Sequence, residues 1–284
     1  MKVLMVSPYT DLSLGGVSHI VPTMVKATAS EDLKIDWVST SPENHDWADL
    51  SPYARGRAFS RIARHDLIWS SSLISWFNEH VQEYDGVHFH TIFAPMISRM
   101  ASLAFQSGIP YWMTPHGMLD SWAIQHRAWK KKIYWKWIEK SVFRRAKAVQ
   151  VLHDREAEAV RAMGVLTRTV QVWNGIDSVD RISKEKVDLF WSRYPDALGK
   201  KKALFLGRIH PKKGIDYLIR SLPNILKEIP DFLLVVAGPN EIGTQGELEQ
   251  LSRDLKVSDR ILWTGLLKGD DKQAALQAEI DSRR

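Results

Sequence analysis

The stretch ALFLGRIHPKKGIDYLI, residues 203–219, decides the fold. An apolar run stops at Gly207, and a run with helical spacing begins at Ile215. A buried strand that hands over to an amphipathic helix across so short a loop reads as a strand–helix unit of a parallel sheet. The loop itself gathers Arg208, His210, Lys212 and Lys213. In open α/β sheets ligands lie beyond the carboxyl ends of the strands. A helix N-terminus there offers free N–H groups and the positive end of a dipole. Arg208 is suited to grip a phosphate bidentately and Lys213 to act as a point charge. Together they suit a diphosphate. The same residues also suit a plain solvated loop whose charges keep the surface soluble.

Outward from that junction the pattern repeats. FLLVVAG (232–238) and RILWTG (260–265) read as further strands, separated by the helical run GELEQLSRDLK. Towards the N-terminus, VLMV (3–6), KIDWVST (34–40), VHFHT (87–91), PYWMTPHG (110–117), AVQVLH (148–153) and TVQVW (169–173) read as strands alternating with helical stretches. Residues 41–66 look polar and irregular. The expected fold class is α/β with doubly wound parallel sheets. The expected domains are 1–178, a connection at 179–199, and 200–284. Three strands are fewer than the roughly five or more of a doubly wound sheet, so the second domain is expected to be incomplete.

Composition narrows the chemistry. The 284 residues are 44% hydrophobic, enough for one large or two ordinary cores. There are no cysteines, which removes disulfides, thiol nucleophiles and cysteine-held metals. A net charge of +6 favours anionic partners. No GxGxxG fingerprint follows a strand, and no GxxxxGK[S/T] occurs, which counts against nicotinamide and P-loop enzymes. No Asp-x-Asp is present to hold a divalent cation against a nucleotide sugar. The N-terminus does not read as a secretory signal, and no apolar run is long enough to span a membrane. A cytoplasmic protein is expected.

Several residues stand out individually. Gly15 and Gly16 follow the first strand, where glycine permits positive φ and close approach of the backbone to a ligand. His88 and His90 are two apart in a strand and share a face; they suit packing or hydrogen bonding better than metal ligation. His116 sits just after a strand and before Gly117, a site position rather than a core position. The stretch 122–147 combines tryptophan with lysine and arginine. Trp129, Ile133 and Trp137 fall at i, i+4, i+8, beside a neighbouring stripe of Tyr134, Ile138 and Val142. Such a helix reads as packed on the core with a cationic outer side, as lying in an anionic membrane surface, or as binding a nucleic-acid backbone.

Taken in order, the Gly-Gly loop, PHGMLD with its following W-x-x-K-K-x-x-Y-W helix, NGID, FLGRIHPKKG and VVAGP resemble the bacterial glycosyltransferases of family 4, also described as glycosyl transferases group 1. The resemblance covers nearly the whole chain. It implies a GT-B architecture of two Rossmann-like domains, the second incomplete here. It implies transfer of a sugar, with retention, from a nucleotide-sugar donor to a glycan or lipid-linked acceptor. It implies no metal or other cofactor and no nucleic-acid partner. The setting it implies is cell-envelope or exopolysaccharide synthesis, in the cytoplasm or peripherally on the inner face of the plasma membrane. By position, Arg208 and Lys213 match the pair that holds the donor diphosphate, and Gly15 and Gly16 match the N-terminal donor loop. His116 matches the cleft histidine near the reacting sugar, better placed to orient a hydroxyl than to act as nucleophile. His19, His90 and Gly117 are candidates for the acceptor side or cleft, and Asn174, Gly175 and Asp177 match a domain-crossing turn.

One departure shapes the expectation of activity. The family carries a Glu-x₇-Glu pair in a later helix, against donor sugar and ribose. Glu241 and Glu249 have that spacing but follow AGPN directly, so the match is coincidental. The chain given is therefore expected to be weak or inactive, either a truncated enzyme, a non-catalytic remnant, or a basic module that binds membrane or nucleic acid.

Overall fold

A computed structural model describes residues 1–11, 16–64, 67–119, 128–175, 181–240 and 243–281. The chain divides into two compact units, Met1–Asp177 and Ser178–Arg284.

The first unit is built on an eight-stranded sheet. Its strands are β1 (Lys2–Val6), β2 (Lys34–Ser41), β3 (His45–Ser51), β4 (Ala54–Ser60), β7 (Gly86–His90), β8 (Tyr111–Thr114), β9 (Ala148–Val151) and β10 (Thr169–Gln171). A short antiparallel pair, β5 (Ile62–Arg64) and β6 (Leu67–Trp69), stands apart. The order across the sheet is β10-β9-β8-β7-β1-β2-β4-β3, and every neighbouring pair is parallel except β3 with β4. Central strands must be apolar on both faces because helices cover both. Leu4 and Val6 of β1 accordingly join one core while Met5 joins another. In β2, Val38 goes to the first core, and Ile35 and Trp37 to the second. The second core is closed by Val21 and Val25 of helix α1 (Val17–Thr28). The larger one takes Leu73 and Phe77 of α2 (Ser71–His80) and Met96, Ile97 and Met100 of α3 (Pro95–Gln106). Ser70 starts α2 by accepting a hydrogen bond from Leu73 N–H at 3.2 Å, and Pro95 opens α3 at its first turn, where no donor is lost.

Within the stretch 41–66 expected to be irregular, residues 45–51 and 54–60 in fact extend the sheet. β4 pairs parallel with β2, and polar β3 forms the antiparallel edge. The alternation in β4 is carried by Ala54, Gly56 and Ala58, too small to read as an apolar stripe. Size is the point there, because a Cβ on Gly56 would lie 2.9 Å from the Trp37 ring.

The second unit carries the three parallel strands β11 (Lys201–Leu206), β12 (Phe232–Ala237) and β13 (Ile261–Gly265), with β12 central. Leu233, Val235 and Ala237 face one core; Leu234 and Val236 face another. Helix Ile215–Glu228 covers the second face through Ile215, Ile219 and Leu222. Residues 179–199, read from sequence as a connection, include helix Lys184–Ser192, whose Phe190 and Trp191 are buried in the first of these cores. Paired bonds tie the unit's last helix to it: Ile182 N–H donates to Gln277 Oε1 at 3.1 Å, and Gln277 Nε2 donates back to Ile182 O at 3.0 Å.

The carboxyl ends of these strands are knitted by backbone. Gly207 N–H donates to Ala237 O at 2.9 Å, Ile209 N–H to Pro239 O at 2.9 Å, and Gly238 N–H to Gly265 O at 2.8 Å. The approach is so close that a Cβ on Gly238 would lie 1.8 Å from Gly207 O. Backbone cannot yield as a flexible side chain can, so Gly238→Ala is expected to lower the second unit's stability by about 2 kcal/mol or more. Gly246, inside helix Gln245–Asp254 and with nothing within 4 Å of its Cβ position, is the control. There, alanine is expected to stabilise by up to about 1 kcal/mol. Urea midpoints of the two variants would check both signs.

Candidate functional site

The polar groups that stand out in the first unit lie where β7 and β8 end side by side. His90 closes β7, Thr114 closes β8, and the two are register partners. His88 Nε2 is 2.7 Å from Thr114 Oγ1, and His90 Nδ1 is 3.0 Å from His116 Nε2. The rings run in sequence: His88 and His90 centroids are 4.2 Å apart, His90 and His116 5.3 Å. Three buried side-chain atoms of this region, His90 Nε2, Thr91 Oγ1 and His116 Nδ1, have no hydrogen-bond partner among the described residues.

The backbone here is strained. Thr91, Phe93 and His116 have φ of 82°, 56° and 53°, the left-handed region that β-branched and bulky residues avoid. Such strain persists only where the surroundings impose it. A main-chain bond, Thr91 N–H to Thr114 O at 2.9 Å, and two buried carboxyl groups do so. Glu139 accepts from Phe93 N–H at 3.2 Å and from the Ser98 hydroxyl at 3.3 Å, and Ser98 Oγ also lies 2.7 Å from Tyr134 Oη. Glu156 accepts from Gly117 N–H at 2.5 Å and from Leu152 N–H at 2.7 Å. Glu139 thus holds the loop after β7, and Glu156 joins the loops after β8 and β9. Glu139 reaches its place from a π turn, Trp135–Glu139, set between helices Ala128–Tyr134 and Lys140–Arg145. Glu156 lies in the first turn of helix Asp154–Ala162, whose N-terminus is capped by His153 Nδ1 accepting from Glu156 N–H at 3.1 Å.

Burial sets the protonation states. It pushes His88 down to about 3, aided by the charge of His116, and pushes His116 down to about 4. His90 is lowered well below its ordinary value, first by burial and then by its two histidine neighbours. The rings are neutral near pH 7. Two neutral imidazoles that share one hydrogen bond have one N–H left over. If His90 donates, His116 Nδ1 carries the remaining proton and His90 Nε2 is bare; if His116 donates, the assignments reverse. Either way the pair leaves one donor and one acceptor. Burial also pushes Glu139 up to about 8, against the opposing pull of Phe93 N–H and the Ser98 hydroxyl.

Of the expected residues, the structure brings His90, His116 and Gly117 together. His19 is exposed on the first turn of α1, with no hydrogen bond to this cluster among the described residues. Gly16 caps that helix with an ordinary φ of −62°, and a Cβ there would meet only Ile20 Cδ1 at 3.7 Å. Positive φ, one of the two properties for which glycine was singled out, is not in use at Gly16. Gly15, residues 122–127, Asp177 and Glu241 lie outside the described residues. In the second unit Arg208 and Lys213 are both exposed and flank a single 3-10 turn, Pro211–Lys213. His210 Nδ1 caps that turn by accepting from Lys212 N–H at 3.1 Å, and Gly214, at φ 67°, turns the chain into helix Ile215–Glu228. Only glycine takes that last conformation without strain. Glu249 accepts from Gln245 Nε2 at 2.8 Å within its own helix.

Sequence reasoning missed Thr91, Thr114, Glu139 and Glu156. The two glutamates left a trace. Glu139 falls four after Trp135 and three before Val142, on the buried stripe. Glu156 falls three after His153, the spacing of a capping box. Among the described residues no group of three or more His, Asp or Glu forms a candidate metal site. No helix among them is long and apolar enough to cross a membrane.

Two units, each a parallel sheet with helices on its faces and polar residues at the strand ends, make an α/β fold of GT-B type. Residues 14–179 match Glycosyltransferase Family 4 and residues 192–281 match Glycosyl transferases group 1, so the chain belongs to Glycosyltransferase Family 4. A solved structure of HepE from Anabaena, in complex with UDP and glucose, aligns with a TM-score of 0.68 at 16% identity, over 98% of this chain and 72% of that one. A glycosyltransferase from Rickettsia africae aligns with a TM-score of 0.65 at 15% identity, over 96% and 70%. At such identities the likeness is one of fold. An uncharacterized glycosyltransferase of Methanocaldococcus jannaschii is 39% identical over 71 residues, which span 25% of this chain and 17% of that relative.

The protonation states make stability depend on pH with two slopes. Folded His88 and His116 resist the proton that unfolded histidine accepts below 6.5, so their contribution is complete above that pH and falls as pH drops towards 4. Glu139 acts oppositely. The folded carboxyl keeps its proton up to about 8 while the unfolded one loses it near 4.5, so stability falls as pH rises between those values. Urea midpoints of the first unit measured against pH are expected to show both limbs. Glu139→Gln is expected to remove the alkaline-side fall and leave the acid-side fall.

Proposed function

We propose that this chain carries the machinery of a glycosyltransferase that moves a sugar from a nucleoside-diphosphate donor to a glycan or lipid-linked acceptor with retention. The observation that carries the reading is the His90–His116 pair, held at the ends of adjacent parallel strands on strained backbone. Its leftover donor and acceptor match a hydroxyl, which both gives and takes a hydrogen bond. Unpaired buried polar groups are costly, and a bound sugar hydroxyl would remove that cost. His116, neutral near pH 7, is assigned to orient a hydroxyl of the reacting sugar. HepE, crystallised with UDP and glucose, supports a uridine-linked donor as the first to test.

Arg208 and Lys213 are assigned to the donor diphosphate. As the bond from the sugar's anomeric carbon to the diphosphate oxygen breaks, negative charge builds on the leaving phosphate. Fixed cations and N–H groups there stabilise the transition state more than the ground state. The acceptor oxygen bonds to the same face of that carbon, and its proton passes to the departing phosphate. The retaining outcome, and placement in cell-envelope or exopolysaccharide synthesis, rest on the family resemblance.

Titration calorimetry with UDP and GDP tests the donor assignment. Loss of a charge-assisted phosphate contact weakens binding by roughly tenfold to a hundredfold, the range expected for Arg208→Ala and Lys213→Ala. His116→Ala is expected to keep nucleotide affinity and to lose whatever weak sugar transfer the unaltered chain shows as nucleotide release with a panel of donors and a membrane extract. Absence of binding of either nucleotide to the unaltered chain would overturn the reading.

A further inference from the structure

The helical run 128–145 has two opposite faces. Trp135, Glu139, Val142 and Phe143 are buried against the sheet. Away from them, Trp129, Ile133, Trp137 and Ile138 are 65%, 54%, 73% and 43% exposed. The stripe at i, i+4, i+8 that sequence spacing would send to the core is turned outward, and the neighbouring one is split, with Val142 inside and Ile138 outside. Two tryptophans and two isoleucines side by side on one outward face form an apolar patch of the kind that marks a docking surface.

The charge around the patch says what docks there. Lys130, Lys132, Lys136, Arg144 and Arg145 are exposed along the same run. The run holds seven basic residues and a single acid, Glu139, which is buried. Lys130 and Lys136 lie 5.5 Å and 5.6 Å from the ring centroids of Trp129 and Trp137, so cation and indole occupy one level. A symmetric contact between two copies through this face would set the same cations against each other, which disfavours it. Nucleic acid would meet the lysines but gain little from isoleucine at the centre of the patch. An anionic lipid surface satisfies both parts: phosphates for the lysines, and the headgroup–acyl boundary for tryptophan and isoleucine.

We infer that the 128–145 run docks the protein flat on an anionic bilayer, with Trp129, Ile133, Trp137 and Ile138 inserted at the interface and lysines at the headgroup phosphates. The inference goes beyond the sugar-transfer reading and stands or falls without it, because lipid binding needs no donor. It is tested by flotation of the full chain with phosphatidylcholine vesicles, with and without phosphatidylglycerol. The chain is expected to float with the anionic vesicles, not with the neutral ones, and to be released by raised salt. Trp129→Ala with Trp137→Ala, and separately Lys130→Glu with Lys132→Glu and Lys136→Glu, are each expected to lower partitioning at least about tenfold. Both sets change exposed side chains, so thermal midpoints are expected to stay unchanged. Three results would overturn the inference. They are failure of the unaltered chain to float with anionic vesicles, flotation of both variants at the unaltered level, or sedimentation showing that Trp137→Ala converts a dimer to a monomer.

Discussion

Two buried carboxyl groups hold the first unit's strand ends in shape. Glu139 and Glu156 are fully buried, Glu139 accepting from Phe93 N–H and Glu156 from Gly117 and Leu152 N–H, in loops that follow parallel strands. A buried carboxyl group is tolerated only when its polar atoms find hydrogen-bond partners. That requirement works in both directions: the loops satisfy the acids, and the acids fix the loops. The left-handed conformations of Thr91, Phe93 and His116 lie within or beside these bonded segments. Thr91 is held by its N–H bond to Thr114 O at 2.9 Å, and Phe93 by its N–H bond to Glu139. The imidazole pair inherits its position from this arrangement.

The second unit solves the same task with different means. Its strand ends are fastened by main-chain bonds among Gly207, Ala237, Gly238 and Gly265. Glycine is needed where the chains nearly touch. Arg208 lies exposed within this seam, between Gly207 and Ile209, and Lys213 ends the capped turn that follows it.

The alternation of strands with helices was legible because buried parallel strands such as VLMV and FLLVVA are nearly unbroken apolar runs. β3 and β4 were not. An edge strand has a solvent face and no need for a stripe, and β4 buries alanine and glycine where a reader looks for valine. At the strand ends, His116 stood out by its place just past a strand and before Gly117, although a lone loop histidine is more often structural, and its candidate role came from the family resemblance. Glu139 was hidden by its neighbours: a charged residue within an apolar and basic helix reads as part of the solvent face. The 129–133–137 stripe left core-facing and outward readings open for a related reason. Regular spacing identifies a face but not its direction, and the buried face here is marked by tryptophan, glutamate, valine and phenylalanine together.

The π turn at Trp135–Glu139 has a further consequence for comparing this chain with its kin. A helix advances about 100° per residue, and a π turn accommodates roughly one extra residue in its length. Removing a single position from YWKWIEK would thus restore a regular helix while leaving the faces on either side pointing as they do now. Among homologous chains, a lone gap in that heptapeptide would record a straightened turn with the same buried and exposed faces rather than a rotated surface.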